Sequence, residues 1–224
     1  MSPLTVFTES WLQALRQYRV IAVLRSPSLE LGVHLAEIAI AAGMGMIEIT
    51  WNSDQPSLLV QHLRASFPHC WVGAGTLLTE AHWQEAIASG IQFGFSPHFN
   101  PRFVQQAKRL DLPFIPGALT PSEIVAAWQA GATCVKVFPI SAMGGVSYLR
   151  AIRPPLPDIP LIPTGGVTLD NALSFLEAGA IAVGLSGQLF PPDLIVAEAW
   201  DSLQQRLQLF QTRLLLHSIP GSGR

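Results

Sequence analysis

The chain contains 224 residues, of which 49% are hydrophobic and 12% are charged, and its formal net charge is −2. That length suits one large domain or two small ones. The many apolar residues and the small net charge exclude a disordered chain. The 13 basic side chains do not outnumber the 15 acidic ones, so we expect no nucleic-acid partner. These properties favour a globular protein that binds a small molecule.

A membrane span is not expected, although the mean hydropathy is +0.36. No apolar run reaches the roughly 18 residues that a spanning helix needs. The N-terminus lacks the succession of basic, apolar and small residues that marks a secretory signal. We therefore expect a cytoplasmic protein without a membrane partner. The two cysteines, Cys70 and Cys134, are too few for a disulfide framework or a zinc site, and we expect both to be buried.

Short apolar runs alternate along the chain with polar turns and with segments of helical period, after a short helix near residues 8–17. The runs predicted to be buried strands are residues 20–24, 46–50, 71–73, 92–95, 114–116, 133–138, 161–163 and 180–184. The residues that open the intervening helices are Ser28, Pro56, Thr79, Asn100, Thr120, Thr168 and Pro192. Several of these helices end in a glycine typical of a left-handed C-cap, at Gly43, Gly90, Gly131 and Gly179. A long closing helix is predicted over residues 193–216, followed by a frayed tail at 217–224.

Eight strand–helix units without a linker predict an α/β protein, folded as a single (β/α)8 TIM barrel over residues 1–224 with a short N-terminal helix within residues 1–17. A doubly wound open sheet is the alternative. The glycines in residues 43–45 and 73–75 superficially suggest a dinucleotide loop. Neither stretch has the third glycine at the required spacing, so the sequence predicts no such site.

Lysine occurs only twice in the chain, and Lys136 interrupts a predicted buried strand. Strand alternation places Cys134, Lys136 and Phe138 on one face, which we expect to point into the barrel. Burial lowers the pKa of a lysine and leaves part of it as a neutral amine, which can attack a carbonyl and form a Schiff base. An internal ion pair that only stabilises the barrel is the alternative.

A carboxylate also interrupts a predicted strand, at Glu48 within residues 46–50. Met46, Glu48 and Thr50 share one face, and an inward Glu48 could meet Lys136 across the barrel. Carbinolamine formation, dehydration and carbon–carbon cleavage all move protons, which a nearby carboxylate can transfer. The two residues would then supply a nucleophile and an acid/base group, or else a buried ion pair.

An anion site is predicted at the loops that follow strands seven and eight, where barrels frequently bind phosphate through backbone N–H groups. These loops contain Thr164, Gly165, Gly166, Gly184 and Ser186. Arg25 and Thr76, at the ends of strands one and three, add a guanidinium and a hydroxyl. Arg25 could bind a carboxylate in bidentate fashion.

Together these stretches resemble the bacterial keto-deoxy-phosphogluconate (KDPG) aldolases and their relatives that act on 2-dehydro-3-deoxy-6-phosphogalactonate and on 4-hydroxy-2-oxoglutarate (KHG). The matching stretches are residues 21–25, 47–50, 73–76, 96–97, 115–117, 120–123, 136–139 and 163–166. The resemblance implies that Lys136 is the Schiff-base lysine and that Glu48 is the acid/base residue. It also implies a pyruvate pocket lined by Thr76 and Pro97, and a phosphate near Gly165, Gly166 and Ser186.

The sequence departs from the gluconate enzymes after the strand that carries Glu48. Those enzymes usually have arginine where Asn52 stands, and Asn52 followed by serine resembles the galactonate relatives, as does Gly184 followed by leucine. Thr164, in contrast, resembles the gluconate branch. His98 stands where the gluconate enzymes usually have glycine, and it could reshape the mouth or contact the substrate. Asn52 is therefore included among the candidate substrate-binding residues.

The prediction is a class I aldolase that reversibly cleaves 2-dehydro-3-deoxy-6-phosphogluconate to pyruvate and glyceraldehyde 3-phosphate. The alternatives within the class are cleavage of KHG to pyruvate and glyoxylate, and cleavage of the galactonate sugar. Outside the class, the alternatives are a phosphate-binding barrel enzyme without a covalent lysine and a non-catalytic regulatory barrel. The resemblance implies a homotrimer, a small 2-keto acid as substrate, and no metal or organic cofactor.

Overall fold

Parallel strands alternate with helices in the computed structural model, which describes residues 5–217. The strands are β1 (Val20–Leu24), β2 (Met46–Thr50), β3 (Trp71–Gly75), β4 (Gly94–Phe95), β5 (Phe114–Ile115), β6 (Gly117–Ala118), β7 (Val135–Val137), β8 (Leu161–Pro163) and β9 (Val183–Leu185). The helices are α1 (Val6–Tyr18), α2 (Leu29–Ala41), α3 (Pro56–Ser66), α4 (Glu80–Ala88), α5 (Pro101–Arg109), α6 (Pro121–Gln129), α7 (Val146–Ile152), α8 (Ala172–Glu177), α9 (Pro192–Val196) and α10 (Trp200–His217). A 3-10 helix spans Ile140–Met143.

Two parallel sheets hold these strands, in the orders β5-β4-β3-β2-β1-β9 and β6-β7-β8. The six-stranded sheet curves as half of a barrel. Pro116 separates β5 from β6, because proline has no N–H to continue a ladder. At the other junction a parallel bridge pairs Thr164 with Gly184, and the N–H of Ile181 donates to the carbonyl of Leu161 at 3.0 Å. The α/β class and the parallel pairing follow the prediction.

Apolar side chains fill the inner side of the strands near their amino ends. Three side chains of α1 pack against this cluster, namely Trp11, Leu12 and Leu15. The strands contribute Ile21, Met46, Phe93, Phe95, Ile115, Cys134, Ile162 and Ala182. A larger cluster lies between the outer side of the strands and the helices. Helix α1 therefore covers the amino ends of the strands and leaves their carboxyl ends to form a cavity.

The helix starts and stops follow the local sequence signals. The side chains of Ser28, Thr79, Asn100 and Thr120 each accept a hydrogen bond from a backbone N–H of the first turn. After α2, α4, α6 and α8 the chain turns through glycines of positive φ, at Gly43 (94°), Gly90 (85°), Gly131 (102°) and Gly179 (95°). Only glycine adopts this left-handed backbone without a steric cost, so the predicted C-caps are confirmed.

The predicted closing helix over residues 193–216 is wrong as one continuous element. Helix α9 ends at Val196 and α10 begins at Trp200. Glu198 between them has a φ of 50° and donates its N–H to Ile195, while the N–H of Ala199 reaches back to the carbonyl of Leu194. This pair of bonds is a Schellman motif, which ends a helix. The apolar spacing continues across the break and therefore conceals it in the sequence.

Smaller differences concern other ends of elements. Thr168 does not open α8 directly, since its hydroxyl accepts from the N–H of Asn171 in a turn that precedes the helix. Several strands, such as β7, are shorter than the apolar runs that predicted them. Residue 217, placed in the frayed tail, is the last residue of α10, and the remaining tail positions 218–224 lie outside the described residues. None of the helices within residues 5–217 is long and apolar enough to span a bilayer.

Candidate active site

A cavity of about 420 Å³ opens at the carboxyl ends of the strands. Its wall contains all the predicted site residues except Asn52, namely Arg25, Glu48, Thr76, Pro97, Lys136, Thr164, Gly165, Gly166, Gly184 and Ser186. The wall also contains residues that were not predicted from the sequence, namely Val23, Thr50, Phe138, Val167, Thr168, Gly187 and Gln188. Alternation along the strands could have added Thr50 and Phe138, which lie two residues after Glu48 and Lys136. The structure thus gathers residues from distant parts of the chain in one place.

Asn52 is exposed and does not line the cavity. The chain turns directly after β2, where the N–H of Ser53 donates to the carbonyl of Thr50 at 2.9 Å. The indole of Trp51 is buried and donates to Glu85 at 3.0 Å. His98 is also exposed and outside the cavity wall, and its carbonyl accepts from the hydroxyl of Ser96. The structure therefore does not bring Asn52 or His98 to the other candidates.

The side chain of Lys136 points to the inside of the strands and is 6% exposed. Its neighbour two residues before, Cys134, lies in the inner apolar cluster, as the alternation predicted. The ammonium nitrogen is 4.7 Å from the ring centre of Phe138 and 5.8 Å from that of Phe95. Burial lowers the pKa of Lys136, and this effect outweighs the opposing charge of Glu48.

The carboxyl group of Glu48 is 1% exposed and lies directly over Gly75 on the neighbouring strand. A Cβ at position 75 would be 1.6 Å from Glu48 Oε1, so the absence of a side chain there makes room for the carboxyl group. Burial raises the pKa of Glu48, although the positive charges of Lys136 and Arg25 oppose the shift.

Burial shifts both buried groups toward their uncharged forms, a neutral amine at Lys136 and a protonated carboxyl at Glu48. Within residues 5–217, no ion pair of 4.0 Å or less joins them. An uncharged amine is a nucleophile, and a protonated carboxyl can donate a proton and later accept one. This arrangement can perform carbonyl chemistry that needs both functions.

The far side of the cavity is formed by uncharged groups. Gly165 and Gly166 have φ values of 79° and 95°, and a Cβ at Gly166 would lie 2.3 Å from the Cβ of Ser141. Their carbonyls are held by the N–H of Ser141 at 3.1 Å and by the side-chain amide of Asn171 at 3.2 Å. The hydroxyl of Ser186 lies in the wall as well. Backbone N–H groups and hydroxyls of this kind can hold an anion without a cation.

Two further residues stand at the mouth. Arg25 is exposed, lines the cavity and, within the described part of the chain, forms no ion pair. Thr76 has a φ of 58°, a left-handed conformation that is rare for a β-branched residue and that tends to occur at functional sites. Among residues 5–217 there is no group of three or more histidine, cysteine or acidic side chains arranged to hold a metal ion.

Comparison with known proteins gives consistent matches over most of the chain. Residues 12–206 match the family described as KDPG and KHG aldolase. The 2-dehydro-3-deoxy-phosphogluconate aldolase of Treponema pallidum is 31% identical over 201 residues, which cover 88% of this chain and 96% of that protein. The enzyme of the same name from Haemophilus influenzae is 30% identical over 196 residues, covering 88% and 92%.

A solved structure with the same fold contains a covalent intermediate. It is the KDPG aldolase from Legionella pneumophila with pyruvate captured at low pH as a carbinolamine. Its TM-score with this chain is 0.81 at 27% sequence identity, and the match covers 89% of this chain and 97% of that one.

Proposed function

The chain belongs to the KDPG and KHG aldolase family, and on this premise we propose that it is a class I aldolase, a lyase whose nucleophile is Lys136. The observation that carries the proposal is the buried lysine of lowered pKa in the same cavity wall as the buried acid Glu48. The carbinolamine found in the Legionella relative supports covalent chemistry at the corresponding site.

In the proposed reaction, the neutral amine of Lys136 attacks the C2 carbonyl of a 2-keto-4-hydroxy acid. Glu48 donates a proton to the departing hydroxyl as the carbinolamine loses water and becomes an iminium. The Glu48 carboxylate then accepts the proton of the C4 hydroxyl. The C3–C4 bond breaks, an aldehyde leaves, and the bonding electrons move into the iminium to give an enamine. Protonation of the enamine at C3 and hydrolysis release pyruvate and restore Lys136.

We propose 2-dehydro-3-deoxy-6-phosphogluconate as the substrate, cleaved to pyruvate and glyceraldehyde 3-phosphate. In this proposal Arg25 binds the carboxylate, and Thr76 and Pro97 bound the pyruvate half. The remaining cavity residues, Thr164, Gly165, Gly166, Gly184 and Ser186, bind the phosphate. Their hydroxyls and positive-φ glycines support that assignment.

Two other substrates have support of their own. The family description includes KHG, and the wall residues proposed to bind the phosphate include no cationic side chain, which suits the single charge of a terminal carboxylate better than the larger charge of a phosphate. The galactonate sugar is favoured by the pair Asn52 and Ser53, which resembles the galactonate relatives. The gluconate enzymes usually have arginine where Asn52 stands. Cleavage rates on the three acids, measured by coupled reduction of pyruvate, rank these candidates.

The test of the mechanism is borohydride reduction in the presence of pyruvate, followed by intact mass and peptide mapping. We expect one pyruvate adduct, located at Lys136, that is lost in Lys136→Ala. Lys108, the chain's other lysine, is exposed, and Lys108→Ala is the matched control that keeps the adduct. A folded wild-type protein without an adduct would refute the covalent mechanism and favour a non-covalent, phosphate-binding enzyme.

Several wider expectations remain proposals. We propose that residues 1–224 form one domain and that the two sheets close into one (β/α)8 barrel, which the Thr164–Gly184 bridge supports. We further propose a cytoplasmic homotrimer without a metal or organic cofactor. Exposed apolar side chains such as Val196 and Leu209, at 85% and 62% exposure, are consistent with subunit contacts. Sedimentation equilibrium measures the number of subunits.

A further inference from the structure

The loop between β2 and α3 contributes no side chain to the cavity, although it directly follows the strand that carries Glu48. Instead it forms hydrogen bonds with the loops on either side of it. On one side, the N–H of Trp51 donates to the carbonyl of Gly75, next to Thr76. On the other side, the N–H of Asp54 donates to the carbonyl of Ser26 at 2.9 Å. Ser26 is the residue that follows Arg25.

A buried hydroxyl completes the second connection. Ser53 is 9% exposed, and its oxygen accepts a hydrogen bond from the N–H of Ser26 at 3.2 Å. The same oxygen lies 3.2 Å from the hydroxyl of Thr50, a cavity residue on the face of β2 that carries Glu48. Ser53 therefore joins the catalytic strand to the backbone that carries Arg25.

This connection has no obvious replacement. Ser26 is 2% exposed, so water has little access to its N–H if the acceptor at Ser53 is removed. The hydroxyl of Ser26 is already used, since it donates to the carbonyl of Ser28 at 2.7 Å. The Arg25 side chain itself makes no ion pair within the described residues that could hold it over the cavity. The direction of its guanidinium therefore depends on the backbone from which it extends.

We propose that Ser53 is a positioning residue, whose hydroxyl fixes the backbone at Ser26 and thereby directs Arg25 toward the carboxylate of the keto acid. The proposal rests on the proposed function, because it assumes that Arg25 binds that carboxylate. The proposal gives a role to the loop of Asn52 and Ser53, where the sequence departs from the gluconate enzymes. This loop acts on substrate binding from outside the cavity, through its neighbour.

The experiment compares pyruvate with pyruvamide, which has the same ketone but no carboxylate charge. The concentration of each that gives half-maximal borohydride trapping is measured for wild type, Ser53→Ala, Arg25→Ala and the double variant. We expect Ser53→Ala to raise this concentration for pyruvate by about threefold to tenfold, the usual consequence of losing one hydrogen bond, and to leave pyruvamide unchanged. The double variant should require the same pyruvate concentration as Arg25→Ala alone, because both changes weaken the same interaction between Arg25 and the carboxylate.

Two further variants separate positioning from stability. Ser53→Thr keeps the hydroxyl and should bind pyruvate more tightly than Ser53→Ala. Ser89→Ala removes a buried serine hydroxyl that donates to the carbonyl of Ala86; neither residue belongs to the cavity wall, so this variant should change neither ligand's trapping. If Ser53→Ala does not fold, Ser53→Cys replaces the hydroxyl by a weak acceptor and should show the same selective loss for pyruvate.

Equal losses for pyruvate and pyruvamide in Ser53→Ala, or additive losses in the double variant, would overturn the proposal. A wild-type protein that forms no adduct with either ligand contradicts the Schiff-base function instead. Wild type and the same three variants are then compared by calorimetric binding of pyruvate, where a Ser53→Ala affinity equal to that of wild type overturns the positioning role separately.

Discussion

Replacing Gly75 with alanine should displace Glu48, the proposed proton-transfer group, without removing Lys136, the proposed nucleophile. The added Cβ would lie 1.6 Å from Oε1 and 2.3 Å from Cδ of Glu48. Ordinary van der Waals contact requires about 3.5 Å, so the carboxyl must move by roughly 2 Å. A misplacement of about 1 Å can cost about 100-fold in rate. We therefore expect the Glu48-dependent step to slow by about 100-fold or more.

The assay follows two steps of the same reaction. Exchange of the pyruvate methyl protons for deuterium, followed by NMR, reports proton removal from the iminium by Glu48. Borohydride trapping at saturating pyruvate reports the covalent bond at Lys136. We expect Gly75→Ala to lose exchange and still to form the trapped adduct at Lys136, more slowly than wild type because Glu48 also assists the loss of water that gives the iminium. Glu48→Gln should behave in the same way.

A matched variant controls for adding a methyl group to a buried strand. At Gly94 the added Cβ would meet the Phe114 ring at 3.0 Å, and Gly94 is not part of the cavity wall. Gly94→Ala should lose stability in thermal melting while its exchange rate stays near that of wild type. Methyl exchange in a folded Gly75→Ala protein at the wild-type rate would contradict the role proposed for Glu48, because proton transfer would then not depend on the position of its carboxyl.

Three other predictions use the same site. Because burial lowers the pKa of Lys136, a small amine-reactive reagent should label it at lower pH than it labels the exposed Lys108. Peptide mass spectrometry measures the pH at which each lysine is half labelled, and equal values would contradict the shift. Gly166→Ala puts a Cβ 2.3 Å from the Cβ of Ser141, at a position whose φ is 95°. The KM for a phosphorylated substrate should therefore rise about tenfold or more, while pyruvate trapping is unchanged. An unaltered KM would mean that the phosphate binds elsewhere. Glu48→Gln combined with Lys136→Met should raise the free energy of unfolding by about 1–4 kcal/mol at pH 7. In the unfolded chain both groups are charged between about pH 4.5 and pH 10, whereas burial in the folded chain opposes both charges. Urea unfolding should show a smaller gain at pH 4, where the unfolded Glu48 carboxyl becomes protonated and only the Lys136 contribution remains; a loss of stability at pH 7 would mean that the pair stabilises the fold.

The strands and the direction of their side chains were accessible from the sequence, because alternation has a fixed period of two. That rule placed Cys134 in the inner cluster and Lys136 in the cavity, and it did the same for Met46 and Glu48. Helix starts and stops were accessible as well, since a cap such as Thr120 bonds to groups only a few residues away. These features depend on local chemistry.

The break between α9 and α10 and the position of Asn52 were not accessible in this way. The Schellman turn at Glu198 leaves the apolar spacing in phase, so no pattern of side chains reveals it. Asn52 follows Glu48 by only four residues, yet its loop lies outside the cavity, joined by hydrogen bonds to Gly75 and Ser26. Both partners are distant in the chain.

The α/β class, the face that Lys136 shares with Cys134 and Glu48 with Met46, and the glycine turns after β8 were predictable from the residues alone, because each depends on local backbone preference and on strand alternation. Three features appear only in the folded chain: these residues share one cavity, Gly75 makes room for the Glu48 carboxyl, and Ser53 joins the loop of Arg25 to β2. The pKa shifts also arise there, since burial is a property of the packed chain. Such contacts join residues far apart in sequence, and no local pattern encodes the distance between them.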